Sequence, residues 1–112
     1  FGRIRWFPGI FSAALFQREA ALREAINFHI QVPAASCIKI AMRRLWDSIH
    51  ELGLDAHLLL QVHDEVILEV KEDELDAVVG LTYTMLDNVM PISFPVEPEV
   101  GKTWAQMKPY NR

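Results

Sequence analysis

Apolar side chains recur at alternating spacings of three and four at Ala35, Ile38, Met42, Leu45, Ile49 and Leu52. That rhythm predicts a helix with one apolar stripe, ending near Leu52. Gly53 stands where a left-handed residue would close it. Upstream, Ser12 can cap an earlier helix running from Ala13 to about His29. Its Ala-, Leu- and Arg-rich content favours helix, and Glu19 with Arg23 forms an i,i+4 pair in the better orientation. Pro33 lies between the two patterns; it withholds an N–H and pushes Val32 towards an extended backbone. A break or kink is therefore predicted at Gln31–Pro33.

Past Gly53 the period changes. Leu58-Leu59-Leu60-Gln61-Val62 and Val66-Ile67-Leu68-Glu69-Val70 have strand character, with Val66, Leu68 and Val70 on one face against Ile67 and Glu69. Only His63, Asp64 and Glu65 separate the two runs, which predicts a tight hairpin with three ionisable groups at its tip. A third helix is predicted from about Asp73 to Met90. Glu72, Asp73, Glu74 and Asp76 crowd its start, where the helix dipole favours negative charge. Leu75, Val78, Val79, Leu86 and Val89 give it an apolar side, and Pro91 follows its end. Ser93–Val100 reads as an edge strand because Pro95 and Pro98 interrupt it. Residues 1–12, with Gly2, Pro8 and Gly9, read as an irregular or short-stranded lead-in, and Trp104 and Tyr110 could anchor the tail. The element order predicts an α+β fold with a mostly antiparallel sheet backed by helices.

A chain of 112 residues is at most one domain, large enough to bury a core. Hydrophobic residues at 51% and charged residues at 23% are ordinary for a soluble globular protein. No apolar run approaches the ~18 residues of a membrane span. There is no secretory signal pattern, and the single Cys37 excludes an internal disulfide, so a cytoplasmic setting is the default and no membrane partner is expected. The chain begins at Phe1 rather than Met, as a processed product or a piece of a longer polypeptide would.

Charge is unevenly spread. Residues 1–46 carry seven Lys/Arg against two Glu, a net +5; residues 47–112 carry four basic against thirteen acidic residues, a net −9, and the two halves recover the overall −4. Such asymmetry hints at a side that faces a polyanion, although solvated helix faces can also differ in charge.

Two constellations could carry chemistry. Adjacent carboxylates such as Asp64 and Glu65 repel unless a proton or cation lies between them. Mg²⁺ prefers carboxylate oxygen, keeps several waters and needs only one or two carboxylates from the protein. Two-metal phosphoryl transfer needs more than this one pair, so a further carboxylate should come from elsewhere. Taken alone, Asp-Glu in a turn is common and reads more readily as a solvated polar turn. The second constellation is Arg23, Asn27 and Gln31, four residues apart and so on one side of a helix. Arg can fork to phosphate, while Asn and Gln read base edges and minor-groove acceptors; a plain exposed polar face has the same spacing. His29, His50 and His57 lack metal-ligand spacing, Cys37 reads as a small buried residue, and no phosphate-cradling glycine loop or zinc pattern is present.

Together these residues resemble DNA polymerase family A. Gln61-Val62-His63-Asp64-Glu65-Val66 resembles that family's motif C in the palm, and Arg23-Glu24-Ala25-Ile26-Asn27-Phe28-His29-Ile30-Gln31 resembles its Arg-x-x-x-Asn-x-x-x-Gln helix. Gly2-Arg3-Ile4-Arg5 looks like the segment after the fingers, and Val96 to Trp104 looks like the closing strand with its Gly-x-x-Trp element. The chain departs from the family pattern at Val32-Pro33 and at Ser36.

The resemblance implies the C-terminal portion of a polymerase palm, residues 1–112 as a single partial domain. The implied activity is template-directed nucleotidyl transfer to a primer 3′-hydroxyl by a two-metal mechanism with Mg²⁺, in DNA replication. It implies Asp64 as a catalytic, metal-binding carboxylate and Glu65 as the adjacent active-site acid. His63 would lie near the primer terminus, and Arg23, Asn27 and Gln31 would contact primer–template DNA. The implied partners are primer–template, deoxynucleoside triphosphates and the N-terminal polymerase portion, which holds the first catalytic aspartate and the fingers; without it the chain is expected to be inactive. Two rivals remain on the sequence. One is a non-catalytic DNA-binding remnant or accessory fold. The other is a metal hydrolase using His63-Asp64, against which the flanking strand pattern argues, since such enzymes place the pair on a helix.

Overall fold

The computed structural model describes residues 2–91 and 93–111. Phe1 and Arg112, the ends of the predicted lead-in and tail, lie outside them. The elements are α1 (Leu15–Leu52), β1 (Ala56–Val62), β2 (Glu65–Val70), α2 (Leu75–Asp87), β3 (Glu99–Val100) and β4 (Lys108–Pro109), with short 3₁₀ turns at Pro8–Phe11, Glu72–Glu74 and Trp104–Gln106. The fold is α+β, as the element order predicts. Its sheets are two separate antiparallel pairs, β1–β2 and β3–β4. No helix among the described residues is long and apolar enough to cross a membrane.

The predicted break at Pro33 does not occur: α1 is one helix of 38 residues with Pro33 inside it. Proline removes one hydrogen bond, the one His29 O would otherwise accept, at a cost of about 3 kcal/mol. Helix propagation through the favourable stretches on both sides outweighs that loss.

The chain forms two compact units, Phe1–Cys37 and Ile38–Arg112. In the first, the lead-in is irregular, the first of its two predicted forms, with a 3₁₀ turn at Pro8–Phe11, and it lies against the N-terminal part of α1. The Phe7 ring meets Phe28 edge-on at 5.8 Å, and Arg5 sits over Phe7 at 5.1 Å while reaching Glu24 at 3.5 Å. A Cβ on Gly9 would come within 3.1 Å of the Ala21 Cβ, so the approach is close. Ser12 Oγ accepts the Ala14 N–H at 3.3 Å, as its predicted capping role requires, although α1 begins at Leu15, two residues later than predicted.

The second unit holds a core of Leu45, Ile49, Ala56 and Val78, with Leu54, Leu58, Leu68, Val70, Leu81 and Met85 packed against it. The buried row on α1 is Cys37, Ala41, Leu45 and Ile49; Ile38 and Met42 are half-buried, and Ala35 and Leu52 are exposed. α1 ends as predicted at Gly53, whose φ is +65°. The Leu54 N–H reaches Ile49 O at 3.0 Å and the Gly53 N–H reaches His50 O at 3.2 Å, the paired bonds of a Schellman cap. Leu54 then turns into the core, which fixes where the hairpin starts. Below the first rung, the Lys71 N–H donates to Asp55 O at 3.0 Å, and the Asp55 N–H donates to Glu74 Oε2 at 2.6 Å.

α2 is shorter than predicted because its acidic start forms a 3₁₀ turn and it closes at Asn88. Arg44 Nη1 donates to Asn88 O at 2.8 Å, tying that end to α1. The predicted strand 93–100 shrinks to Glu99–Val100, which follows Pro95 and Pro98, residues that cannot donate to a ladder. Tyr110 is half-buried and its N–H donates to Pro98 O at 2.8 Å, so it anchors the tail; Trp104 is exposed and does not.

Candidate active site and nucleic-acid interface

The hairpin β1–β2 is pinned at its base. Its pairs Ala56–Val70 and Leu58–Leu68 include residues packed on the core. The ladder continues through Leu60–Ile67 and Gln61–Val66 to Val62–Glu65, leaving Leu59 as an extra residue in β1. The turn is therefore two residues, His63-Asp64, and Glu65 is the first residue of β2 rather than part of the loop.

Partners across the ladder share a face. Ala56–Val70, Leu58–Leu68 and Gln61–Val66 lie on the core side; His57–Glu69, Leu60–Ile67 and Val62–Glu65 lie on the other. Glu65 thus projects from the face away from the core, and Asp64 from the turn itself. His63 adopts a φ of +54°, uncommon for a residue with a side chain. The Gln61 side-chain amide supports this turn by donating to His63 O at 3.2 Å.

The side chains of His63, Asp64 and Glu65 are exposed, and among the described residues neither carboxylate enters an ion pair or a side-chain hydrogen bond. Two hard oxygen donors, accessible and uncommitted, fit a hydrated Mg²⁺. Among the described residues no three His, Cys, Asp or Glu stand together as a metal-holding group. The tip therefore offers one carboxylate pair and not a complete two-ion centre.

The second constellation lies in the other unit. Arg23, Asn27 and Gln31 are all exposed on α1, and the helix passes unbroken through Gln31 towards Pro33. Helix geometry spreads them over about 12 Å of the axis with a drift of roughly 40° per step. Beside them Leu22, Ile26 and Ile30 are exposed at 45%, 65% and 71%. The Leu59 bulge and the Gln61 brace have no clear sequence signature; the unbroken Leu58-Leu59-Leu60 run, whose polarity does not alternate as a half-buried strand's does, is the available sign.

Residues 1–106 match the model of DNA polymerase family A. The thermostable DNA polymerase I of Thermus filiformis is 44% identical over 110 residues, 96% of this chain and 13% of that protein. The DNA polymerase I of Deinococcus radiodurans is 41% identical over 101 residues, 90% of this chain and 10% of that protein. Among solved structures, the POL domain of Pol1 from M. smegmatis, in complex with DNA primer-template and dNTP, is similar with a TM-score of 0.75 and 40% identity, over 83% of this chain and 16% of that one. The chain thus spans about an eighth of the length of the Thermus relative, 13%. A match that runs through the hairpin tip and the polar helix alike places these residues in one lineage: the chain belongs to DNA polymerase family A.

Proposed function

We propose that the chain is the C-terminal palm portion of a DNA-directed DNA polymerase, a single partial domain that contributes to template-directed transfer of a deoxynucleoside monophosphate to a primer 3′-hydroxyl. The observation that carries this is the exposed, uncommitted Asp64–Glu65 pair at the tip of a core-anchored hairpin, Asp64 in its two-residue turn and Glu65 at the start of β2. Asp64 holds metal through its carboxylate. Glu65, one residue along and on the outer face, adds negative charge with a lesser role. Bound Mg²⁺ would stabilise the attacking and leaving oxygens of the displacement. The hairpin supplies rigidity, since a carboxylate on a short, braced turn loses little entropy when a cation binds.

His63, beside Asp64, faces the primer end. Arg23 neutralises a backbone phosphate, and Asn27 and Gln31 hydrogen-bond to minor-groove acceptors present in every base pair. The net +5 of residues 1–46 favours the same polyanion. Primer–template and deoxynucleoside triphosphate are the partners, as the complex in the M. smegmatis relative suggests. The other carboxylates and the nucleotide-binding groups come from the rest of the polymerase polypeptide.

The test is primer extension by the complete polymerase carrying these residues. Extension should require a divalent cation, stop on chelation, and fall further in Asp64→Ala than in Glu65→Ala. Extension that is metal-dependent yet indifferent to Asp64→Ala would favour a DNA-binding remnant.

A further inference from the structure

We propose that the bulge at Leu59 is a positioning device that bends β1 and thereby aims the His63-Asp64 turn at the reacting groups. The inference rests on the polymerase reading above and deepens it.

The bulge sits where the hairpin leaves the core. On its base side Leu58 and Leu68 pack against the core cluster. On its tip side the strand runs outward, with Leu59 exposed at 57% and Leu60 at 46%. An extra residue in one strand bends that strand and raises its local twist. Everything beyond Leu58, including Asp64, is re-aimed by that bend.

The bulge is not needed for pairing. Removing Leu59 would bring Leu58-Leu60-Gln61-Val62 into a regular ladder opposite Leu68-Ile67-Val66-Glu65. Every cross-strand pair, the two-residue turn and the core contacts of Leu58 and Leu68 would be retained. Nor do packing contacts of the Leu59 side chain within these residues account for it, since it is 57% exposed among them. What the extra residue supplies is direction. A metal-holding carboxylate misplaced by ~1 Å can cost on the order of 100-fold in rate. The bend is therefore matched to the chemistry and not to the fold.

The experiment compares the complete polymerase with a Leu59 deletion and with Leu59→Ala, by single-turnover primer extension, primer–template affinity and thermal melting. The deletion should lower kcat by about 100-fold or more. Its primer–template Kd should stay within about threefold of wild type, with little change in Tm. Leu59→Ala, which keeps the extra residue, should retain turnover. A deletion variant that extends primers within about threefold of the wild-type rate overturns the inference, as does equal damage from Leu59→Ala. Should the deletion fail to fold, a variant that inserts an alanine between Ile67 and Leu68, opposite Leu59, closes the bulge without shortening β1. It should lose kcat in the same way, and wild-type turnover there overturns the proposal. If the wild-type polymerase itself extends no primer, the polymerase reading falls and takes this inference with it; if wild type extends and Asp64→Ala does not, only the deletion result bears on Leu59.

Discussion

Gln31 stands two residues before a proline, yet it shares the exposed side of α1 with Asn27 and Arg23. The polar stripe is therefore available for a duplex. Asn27→Ala and Gln31→Ala should weaken primer–template binding or slow extension by similar factors on different duplex sequences, because minor-groove acceptors recur in every base pair. Arg23→Ala should also reduce the slope of log affinity against log salt by about one, as one phosphate contact is lost. Salt titrations of the complete polymerase on several duplexes check both; wild-type binding and extension in all three variants would leave the stripe as a solvated helix face. At this scale the sequence was most legible where chemistry is local. The Asp64–Glu65 pair, the stripe and the left-handed Gly53 all stand out as residue types. The +54° φ of His63 was not legible, because it follows from the register of two strands and not from histidine itself.

Elements were legible where one local rule governed and illegible where two competed. The Schellman cap at Gly53 follows from glycine alone. An alanine there must adopt a left-handed backbone at a cost of about 1 kcal/mol. Gly53→Ala should accordingly speed amide exchange at Leu54 by roughly fivefold, and unchanged exchange at Leu54 would contradict the cap. At Pro33 the breaker rule met a long favourable helix and lost, so two predicted helices became one. In the hairpin, Leu58-Leu59-Leu60 satisfies strand propensity at every position, and only the ladder reveals which leucine is extra. The last strand failed in the opposite sense. Its prolines were visible, but the two-residue length of β3 depends on where β4 returns to meet it. Lys71 and Asp73, 3.0 Å apart at the 3₁₀ turn that precedes α2, form another pair that no propensity rule predicts. The Lys71 ammonium, by hydrogen bond first and charge second, holds the Asp73 carboxyl below the usual carboxylate range. That contribution is present above the ordinary carboxylate pKa and is lost as pH falls through the depressed one.

At the scale of the whole molecule, the α+β class and the motif order were readable from sequence, while the division at Cys37–Ile38 was not, because it falls inside α1. The site itself is incomplete within these residues: one carboxylate pair, with no group of three metal-holding side chains among the described residues. The 112-residue chain alone should therefore extend no primer with Mg²⁺ and all four nucleotides. Extension that co-purifies with the chain and vanishes on Asp64→Ala would contradict this.

The central claim is that Asp64 acts on the reacting groups through metal and does not hold DNA. The most direct measurement is kcat and primer–template Kd for Asp64→Ala in the complete polymerase. Loss of a group that acts on the transition state lowers kcat and leaves ground-state binding alone. The account predicts turnover reduced well beyond tenfold, more than ~1.4 kcal/mol of barrier, with Kd near wild type. A variant that keeps more than about a tenth of wild-type kcat, or one whose defect lies wholly in Kd, would contradict it.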